Sequence, residues 1–340
     1  MDVTPVIRDV PARGPHPRLA STFAALDQAG IRWCLLRGER KLDAPTGDID
    51  MLVAREDADR MRRIVIALGF THIPAWGFGS HVSFLAYDEP TDGWLKLDFV
   101  TDLAFGPGFS LATGAEEACL ERRVRRGGAA VLADEDAFWC LLLHLLLDKG
   151  KVRDAEALEL ARLAAAPCET SPLAAVVSAV APPDWPLPRI VGAARERRRG
   201  DLVALGPALA ARWTRRHPID VWRRRMGNEA WRWAGRVLRL KRRQGVAVTL
   251  VGSGRAVAAA ELQRSFYFPV RIVGAQPTAA GRIRYHRARG RLVLLEEGQR
   301  PADVTAVVEA NGDDDRRRRE LTAAIWRAYS DGWNRAGPRR

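Results

Sequence analysis

GERKLDAPTGDIDMLV, residues 38–53, decides how the N-terminal part of this chain folds. Its last six residues are typical of a short buried strand, except that two aspartates, Asp48 and Asp50, stand one residue apart. Because strand side chains alternate between faces, both carboxylates point the same way and their charges repel. A divalent metal ion, a basic partner or exposure to water at the strand's end could offset this repulsion.

Apolar periodicity predicts an α/β fold in which a small mixed sheet is flanked by helices. Cap and turn residues mark where the elements end, for example Gly30 after the first helix and Asp134 as the N-cap of a strongly apolar helix. The predicted elements of this part are a helix at 18–30, strands at 31–38 and 48–53, a helix at 55–69, strands at 81–87 and 94–100, and helices at 134–151 and 154–180.

Composition shifts predict three segments in the 340 residues. The stretch APPDWPLP at 181–188 interrupts the helical pattern, and Gly245 opens a second strand–glycine–helix pattern. The sequence therefore predicts an N-terminal domain with following helices at 1–180, a basic helical connector at 181–244 and a smaller α/β domain at 245–340.

The positive charge of the chain is unevenly distributed. The formal net charge is +13, but residues 1–150 contribute −5 and residues 151–340 contribute +18. The most basic stretch, 187–245, has 17 basic and 4 acidic residues, interleaved with tryptophans. An anionic partner would bind to this stretch. RNA is one candidate, since arginines could contact its phosphates and tryptophans could stack on its bases. The alternative is a purely structural role, in which the tryptophans form the buried side of an amphipathic helix.

The cysteines and the N-terminus point to a cytoplasmic protein. The four cysteines are widely spaced among apolar neighbours, which is typical of reduced core thiols and not of a zinc site or a disulfide framework. The N-terminus has no signal-peptide pattern, and no run approaches eighteen apolar residues. We expect neither secretion nor a membrane span.

The order strand, Gly38, Asp48-Ile-Asp50, helix and then Asp98 within WLKLDFV resembles the nucleotidyltransferase superfamily with the polymerase-beta-like fold. The resemblance covers residues 18 to about 165. It implies that Asp48 and Asp50 are metal ligands and that Asp98 binds a second metal or acts as the general base for the acceptor. Carboxylates so placed can hold two Mg²⁺ ions that align a nucleoside triphosphate for in-line displacement.

The same resemblance implies a set of nucleotide-binding residues. The glycine turn reads Leu36-Arg37-Gly38-Glu39, where the family usually follows its glycine with Gly or Ser, so Arg37 would replace that phosphate contact. The helix end HLLLDKGKVRD resembles the region where a lysine meets the triphosphate, which makes Lys149 the candidate, with Lys151 next to it. Lys96 would neutralise Asp98 or bind phosphate. Lysines at a helix C-terminus also serve as simple dipole partners.

The C-terminal stretch VAVTLVGSGRAVAAAEL resembles the opening strand, P-loop and helix of thymidylate kinase-like proteins. A working P-loop requires a Lys-Ser/Thr pair that contacts phosphates and Mg²⁺, and Ala-Val-Ala stands in its place. The resemblance therefore implies a degenerate kinase fold without kinase activity, retained for architecture or binding. A glycine turn before a helix is also a common feature of α/β folds in general.

The sequence thus predicts an Mg²⁺-dependent nucleotidyltransferase that moves a nucleoside monophosphate, AMP by default, to a hydroxyl or phosphate of a small molecule and releases pyrophosphate. Two alternatives stay open. In the first, the acceptor is RNA, as in toxin-type members of the superfamily. In the second, the chain is a nucleotide-binding scaffold that has lost its catalytic activity.

Overall fold

The computed structural model describes residues 14–335 except 38–41, 46, 74–76, 243–244, 254, 274–278, 290, 296–305 and 310–314. Its strands are β1 Trp33–Leu35, β2 Asp48–Val53, β3 Thr71–Ile73, β4 Val82–Asp88, β5 Gly93–Val100, β6 Ala104–Phe105, β7 Leu111–Ala112, β8 Val124–Arg126, β9 Ala129–Val131, β10 Val246–Val251, β11 Val270–Val273, β12 Leu292–Leu295 and β13 Ala306–Glu309.

The helices are α1 Pro17–Gln28, α2 Ala58–Ala67, α3 Glu116–Glu121, α4 Asp134–Leu143, α5 Asp154–Leu163, α6 Pro172–Val180, α7 Leu187–Arg195, α8 Arg199–Arg216, α9 Pro218–Arg242, α10 Arg255–Ser265, α11 Ala279–Ala288 and α12 Asp315–Arg335. Short 3₁₀ segments lie at Arg55–Asp57, Pro107–Phe109 and Cys168–Thr170, and a π-helical turn at His144–Lys149 continues α4.

The chain folds into two compact units. Among the described residues, the first comprises 14–68, 78–81 and 97–226, and the second comprises 69–77, 82–96 and 227–335. β5 and α9 therefore each begin in one unit and end in the other. The domain limits expected at 180 and 244 stay predictions.

The first unit is built on the strand order β5-β2-β1-β9-β8. β1 pairs antiparallel with β2, with Leu35 opposite Met51, and parallel with β9, with Leu35 opposite Val131. The sheet is therefore mixed, and the predicted α/β class is confirmed. All three residues are buried, and so are Leu52 and Val53, so the apolar half of the opening stretch is part of this core.

α4 is the central helix of the first unit. Its apolar run buries Phe138, Trp139 and Leu143, and the Trp139 indole donates to the Cys168 carbonyl oxygen at 2.7 Å. The predicted N-cap is wrong: Ala133 occupies that position, and Asp134 is the first helical residue, whose carboxylate accepts from Arg126 at 2.8 Å. Because Asp134 stands one residue past the N-cap position, its carboxylate pairs with an arginine of β8 and does not cap the helix.

The second unit contains a four-stranded parallel sheet in the order β11-β12-β10-β13. The strand–turn–helix pattern predicted from 245 is present as β10 and α10, and the predicted final helix is α12. Aromatic rings fill its core: Trp94 packs edge-on against Phe266 and Trp326, each with ring centroids 5.2 Å apart. The Trp94 indole donates to the Ser265 carbonyl oxygen at 3.1 Å, which satisfies its only donor.

All four cysteines, Cys34, Cys119, Cys140 and Cys168, are buried free thiols, as expected for core residues. Within the part of the chain that the structure describes, none of the helices has the length and apolar character that crossing a bilayer requires.

Candidate active site

Asp48 and Asp50 occupy the first and third positions of β2, as the sequence predicts. Asp48 is exposed and Asp50 is half-buried, whereas Ile49 and Met51 between and after them are buried. The alternation places both carboxylates on the less buried side of the strand.

Asp50 has a basic partner. The Arg37 Nε donates to its carboxylate at 2.7 Å, and the adjacent Leu36 N–H donates to the Asp50 carbonyl oxygen at 2.9 Å. The antiparallel pairing of β1 with β2 produces this geometry, because the residues that follow β1 lie beside the start of β2. Arg37, expected on a phosphate, here neutralises a carboxylate. Gly38, the other residue expected at this turn, lies outside the described residues.

Asp98 lies on β5, the strand next to β2, and is half-buried. Its carboxylate is 3.0 Å from the Nδ1 atom of His81, and the His81 ring packs on Phe109 with centroids 4.5 Å apart. Sequence reasoning missed His81, because it immediately precedes β4 and belongs to no recognisable motif. Lys96 is two residues before Asp98 on the same side of β5 and is half-buried; its role beside Asp98 stays a prediction.

The loop after β5 is tightly organised around the His81 side of the site. The Ser80 hydroxyl accepts from the backbone N–H groups of Thr101 and Asp102, at 3.1 and 3.2 Å, and donates to the Asp102 carboxylate. Phe109 has a positive φ of 53°, which is uncommon for an aromatic residue and costs conformational energy. Strain of this kind persists where the surrounding contacts require it, and the Phe109 ring is in contact with His81.

The end of α4 forms a second acid–histidine pair. The π-helical turn brings His144 Nδ1 to 2.8 Å from one oxygen of Asp148, and the other oxygen accepts from the Gly106 N–H at 2.6 Å. His144 is therefore half-buried and has a carboxylate partner. π-helical turns inside α-helices are frequent at functional sites.

Lys149 ends the π-helical turn and Lys151 follows it; both side chains are exposed. Arg153, two residues on, is bound to Glu156 at 2.6 Å, and this bond lowers the pKa of the Glu156 carboxyl. His144 also contributes to lowering that pKa, so the histidine and the start of α5 lie within electrostatic range of each other. The two lysines are thus available at the surface beside the His144–Asp148 pair.

The pKa of the Cys140 thiol depends on charges from several parts of the candidate site. Burial raises the pKa of Cys140 to about 12 and is the largest cause of the shift. The next largest effects are electrostatic: the charge of Arg37 lowers this pKa, and the charges of Asp50 and Asp148 raise it. The charges of Arg37, Asp50 and Asp148 therefore all act on one buried residue of α4. These charged neighbours come from distant parts of the sequence, with Arg37 and Asp50 near the start of β2 and Asp148 in the π-helical turn.

The donor chemistry of these carboxylates fits Mg²⁺, which prefers oxygen ligands and is usually held by one or two carboxylates together with substrate phosphates. Asp48 and Asp50 supply such a pair, and Asp98 stands on the neighbouring strand. Across the described residues, no group of three or more histidine, cysteine, aspartate or glutamate side chains is arranged to hold a metal ion.

The tryptophans of the basic region do not share one environment. Trp213, on α8, is 2% exposed and belongs to the core, but Trp222, Trp231 and Trp233, on α9, are 65%, 60% and 63% exposed. The interpretation that these residues form the buried side of a helix is therefore wrong for the three on α9. The Arg236 guanidinium stacks over the Trp233 ring at 4.6 Å.

The glycine turn of the second unit follows β10. Gly252 has a φ of 107°, which only glycine adopts readily, and α10 begins at Arg255. Gly254, within the motif, lies outside the described residues.

Comparison of the chain with protein-family models, with curated proteins and with solved structures finds no match. A functional assignment for this chain therefore rests on its residues and their arrangement.

Proposed function

We propose that the chain is an Mg²⁺-dependent nucleotidyltransferase that transfers a nucleoside monophosphate, AMP by default, from a triphosphate to a hydroxyl or phosphate of a small molecule. The supporting observation is that Asp48 and Asp50 project from one side of β2 while Asp98 stands on the adjacent β5. When bound at Asp48 and Asp50, Mg²⁺ would supply charge neutralisation and orientation of the phosphates.

The other residues have roles that follow from their contacts. Arg37 holds Asp50 in place before the nucleotide arrives, and its guanidinium is then available to a phosphate oxygen. Asp98 takes the proton of the acceptor hydroxyl. The hydroxyl oxygen then bonds to the α-phosphorus, and the bond between that phosphorus and the pyrophosphate oxygen breaks. His81 orients Asp98 through the 3.0 Å contact, and Lys149 and Lys151 attract the triphosphate.

The test is a titration of ATP, GTP, CTP and UTP into the protein with and without Mg²⁺, beside the variant with both Asp48→Asn and Asp50→Asn. We expect one triphosphate to bind in an Mg²⁺-dependent way, and the variant to lose that dependence and to slow transfer by about a thousandfold or more, a factor that corresponds to several kcal/mol. Asp59→Asn, at an exposed position of the neighbouring α2, is the matched control and should behave as the parent.

Binding that is indifferent to both aspartates would overturn the proposal. Normal Mg²⁺-dependent binding without transfer to any acceptor would instead favour a nucleotide-binding scaffold. That outcome would agree with the altered glycine turn and with the missing Lys-Ser/Thr pair of the second glycine motif.

A second candidate is transfer to RNA. The observation that favours it is the exposure of Trp222, Trp231 and Trp233 among arginines, since exposed aromatic rings can stack on unpaired bases. The salt dependence of RNA binding, together with tryptophan substitutions, separates this candidate from the first.

A further inference from the structure

A cleft of about 650 Å³ lies in the first unit and is lined by residues with no role in the proposed transfer. Its walls come from the loop and helix after β7, from α6, from the end of α8 and the start of α9, and from Arg55 after β2. A volume of this size falls within the range of about 300–1,000 Å³ that is usual for small-molecule sites.

The inner part of the cleft is apolar. Val180, Trp213 and Val221 line it and are buried, and Val176 and Ala179 extend the apolar surface along α6. Such a surface favours the hydrocarbon or ring portion of a ligand, because binding removes apolar area from water.

The outer part is cationic. Four arginines line the cleft against two carboxylates, those of Glu116 and Asp220. Arg224 is bound to Asp102 at 2.8 Å and Arg223 to Asp220 at 3.2 Å, while Glu116 accepts from the Leu103 N–H at 2.9 Å.

Arg55 and Arg216 are the two remaining arginines, and neither has an ion pair among the described residues. They come from distant parts of the chain, yet both line this one cleft. Two guanidinium groups that line one cleft give it a positive potential, and guanidinium groups bind phosphate through paired hydrogen bonds.

We propose that this cleft binds a small phosphate monoester with an apolar body. The phosphate lies at Arg55 and Arg216, and the apolar portion lies against Val180 and Trp213. A phosphate monoester has a charge of about −1.5 to −2 at neutral pH, which matches the positive charge of these two arginines. The site requires neither Mg²⁺ nor a triphosphate, so the proposal goes beyond nucleotidyl transfer and stands or falls separately from it.

The test is isothermal titration calorimetry on the full chain without Mg²⁺ or nucleotide, with three probes: hexyl phosphate, inorganic phosphate and hexanol. We expect hexyl phosphate to bind at one site and at least about ten times more tightly than either of the other two, because only this probe uses both parts of the cleft. Equal affinity for inorganic phosphate, or no binding of hexyl phosphate, would overturn the proposal.

Substitutions locate the binding. Arg216→Gln and Arg55→Gln should each weaken hexyl phosphate about tenfold, the effect of losing one charge-assisted contact. Arg215→Gln is the matched control, since Arg215 is the exposed neighbour in the last turn of α8 but does not line the cleft. If Arg215→Gln weakens binding as much as Arg216→Gln, the probe is attracted by surface charge in general and the proposal fails.

A second pair of variants tests the apolar wall. Ala179→Trp should fill the cleft and abolish hexyl phosphate binding, whereas Ser178→Trp, at the adjacent exposed position of α6 outside the cleft, should leave it unchanged. Both positions are exposed, so neither substitution threatens the core. Retained binding in Ala179→Trp would place the ligand elsewhere and contradict the assignment.

Discussion

At the scale of single residues, Asp136 shows how burial acts on one carboxyl group. It is fully buried in the first turn of α4, and burial raises its pKa, while Ser171 and Arg122 act in the opposite direction. Arg122 Nε lies 3.3 Å from one carboxylate oxygen, and the other oxygen has no hydrogen-bond partner among the described residues.

This shift predicts a pH dependence of stability. Between the ordinary aspartate pKa of about 4 and the raised value, the folded chain keeps a proton that the unfolded chain has lost. The free energy of unfolding therefore falls as pH rises through this window, by about 1.4 kcal/mol for each unit of the shift. Asp136→Asn cannot ionise and should not show this contribution.

The measurement is urea unfolding of parent and Asp136→Asn at a series of pH values from 4 to 8. The free energy of unfolding of the variant minus that of the parent should increase with pH and then level off. A difference that stays constant across the series would show that Asp136 keeps its ordinary pKa in the folded chain.

The residue scale also shows how far the sequence predicts the candidate site. Asp48 and Asp50 were predictable because the two-residue repeat of a strand alone fixes their common side. His81 and Asp148 were not, because each is defined by a partner distant in sequence: His81 by Asp98 and Asp148 by the Gly106 N–H. A motif describes local spacing and is silent about such tertiary contacts.

At the scale of elements, the packing of α8 on the π-helical turn depends on Gly206. A β-carbon at this position would lie 2.8 Å from the Leu146 carbonyl oxygen, and that atom belongs to the backbone and cannot rotate away. We expect Gly206→Ala to destabilise the chain by about 1–3 kcal/mol, the usual cost of overpacking, although alanine is the better helix former.

Gly200→Ala provides the comparison, because Gly200 lies on the same helix and a β-carbon there would meet nothing within 4 Å. This variant should be neutral or more stable by less than about 1 kcal/mol. Thermal unfolding of both variants checks the prediction. If both alanine variants unfold at the same temperature as the parent, α8 and the π-helical turn can move apart without cost. The close approach at Gly206 would then contribute nothing to the free energy of unfolding.

Long elements were the predictable ones. The apolar run of α4 and the strand–turn–helix at β10 and α10 have strong local patterns, and both are present. Short strands such as β6 and β7 span two residues each and have no pattern of their own. The π-helical turn was also missed, since its sequence continues the apolar pattern of α4 while only the backbone hydrogen bonding changes.

At the scale of the whole molecule, the uneven charge means that two contributions to RNA binding must be separated before RNA can be identified as the acceptor. One is electrostatic attraction by arginines, and the other is stacking of bases on tryptophans. The +18 of residues 151–340 predicts that single-stranded RNA binds with an affinity that falls steeply with salt, with a slope of about −0.7 for each phosphate neutralised. Arginines at the surface produce such binding with or without a function in RNA modification. Salt dependence alone therefore cannot identify RNA as the acceptor, and the tryptophans of α9 must decide.

The deciding measurement is the affinity for a labelled oligouridylate, followed by fluorescence anisotropy at increasing KCl, for Trp222→Ala and Trp233→Ala. If RNA is the acceptor, each variant should lose about 1–3 kcal/mol of binding free energy with an unchanged salt slope, because stacking on a base is lost and no charge is removed. Ile219→Ala is the control, since Ile219 is 77% exposed on the same helix but cannot stack, and it should bind as the parent does. Tryptophan variants that bind RNA as the parent does would leave only non-specific attraction by arginines, and the small-molecule acceptor would then be the better assignment.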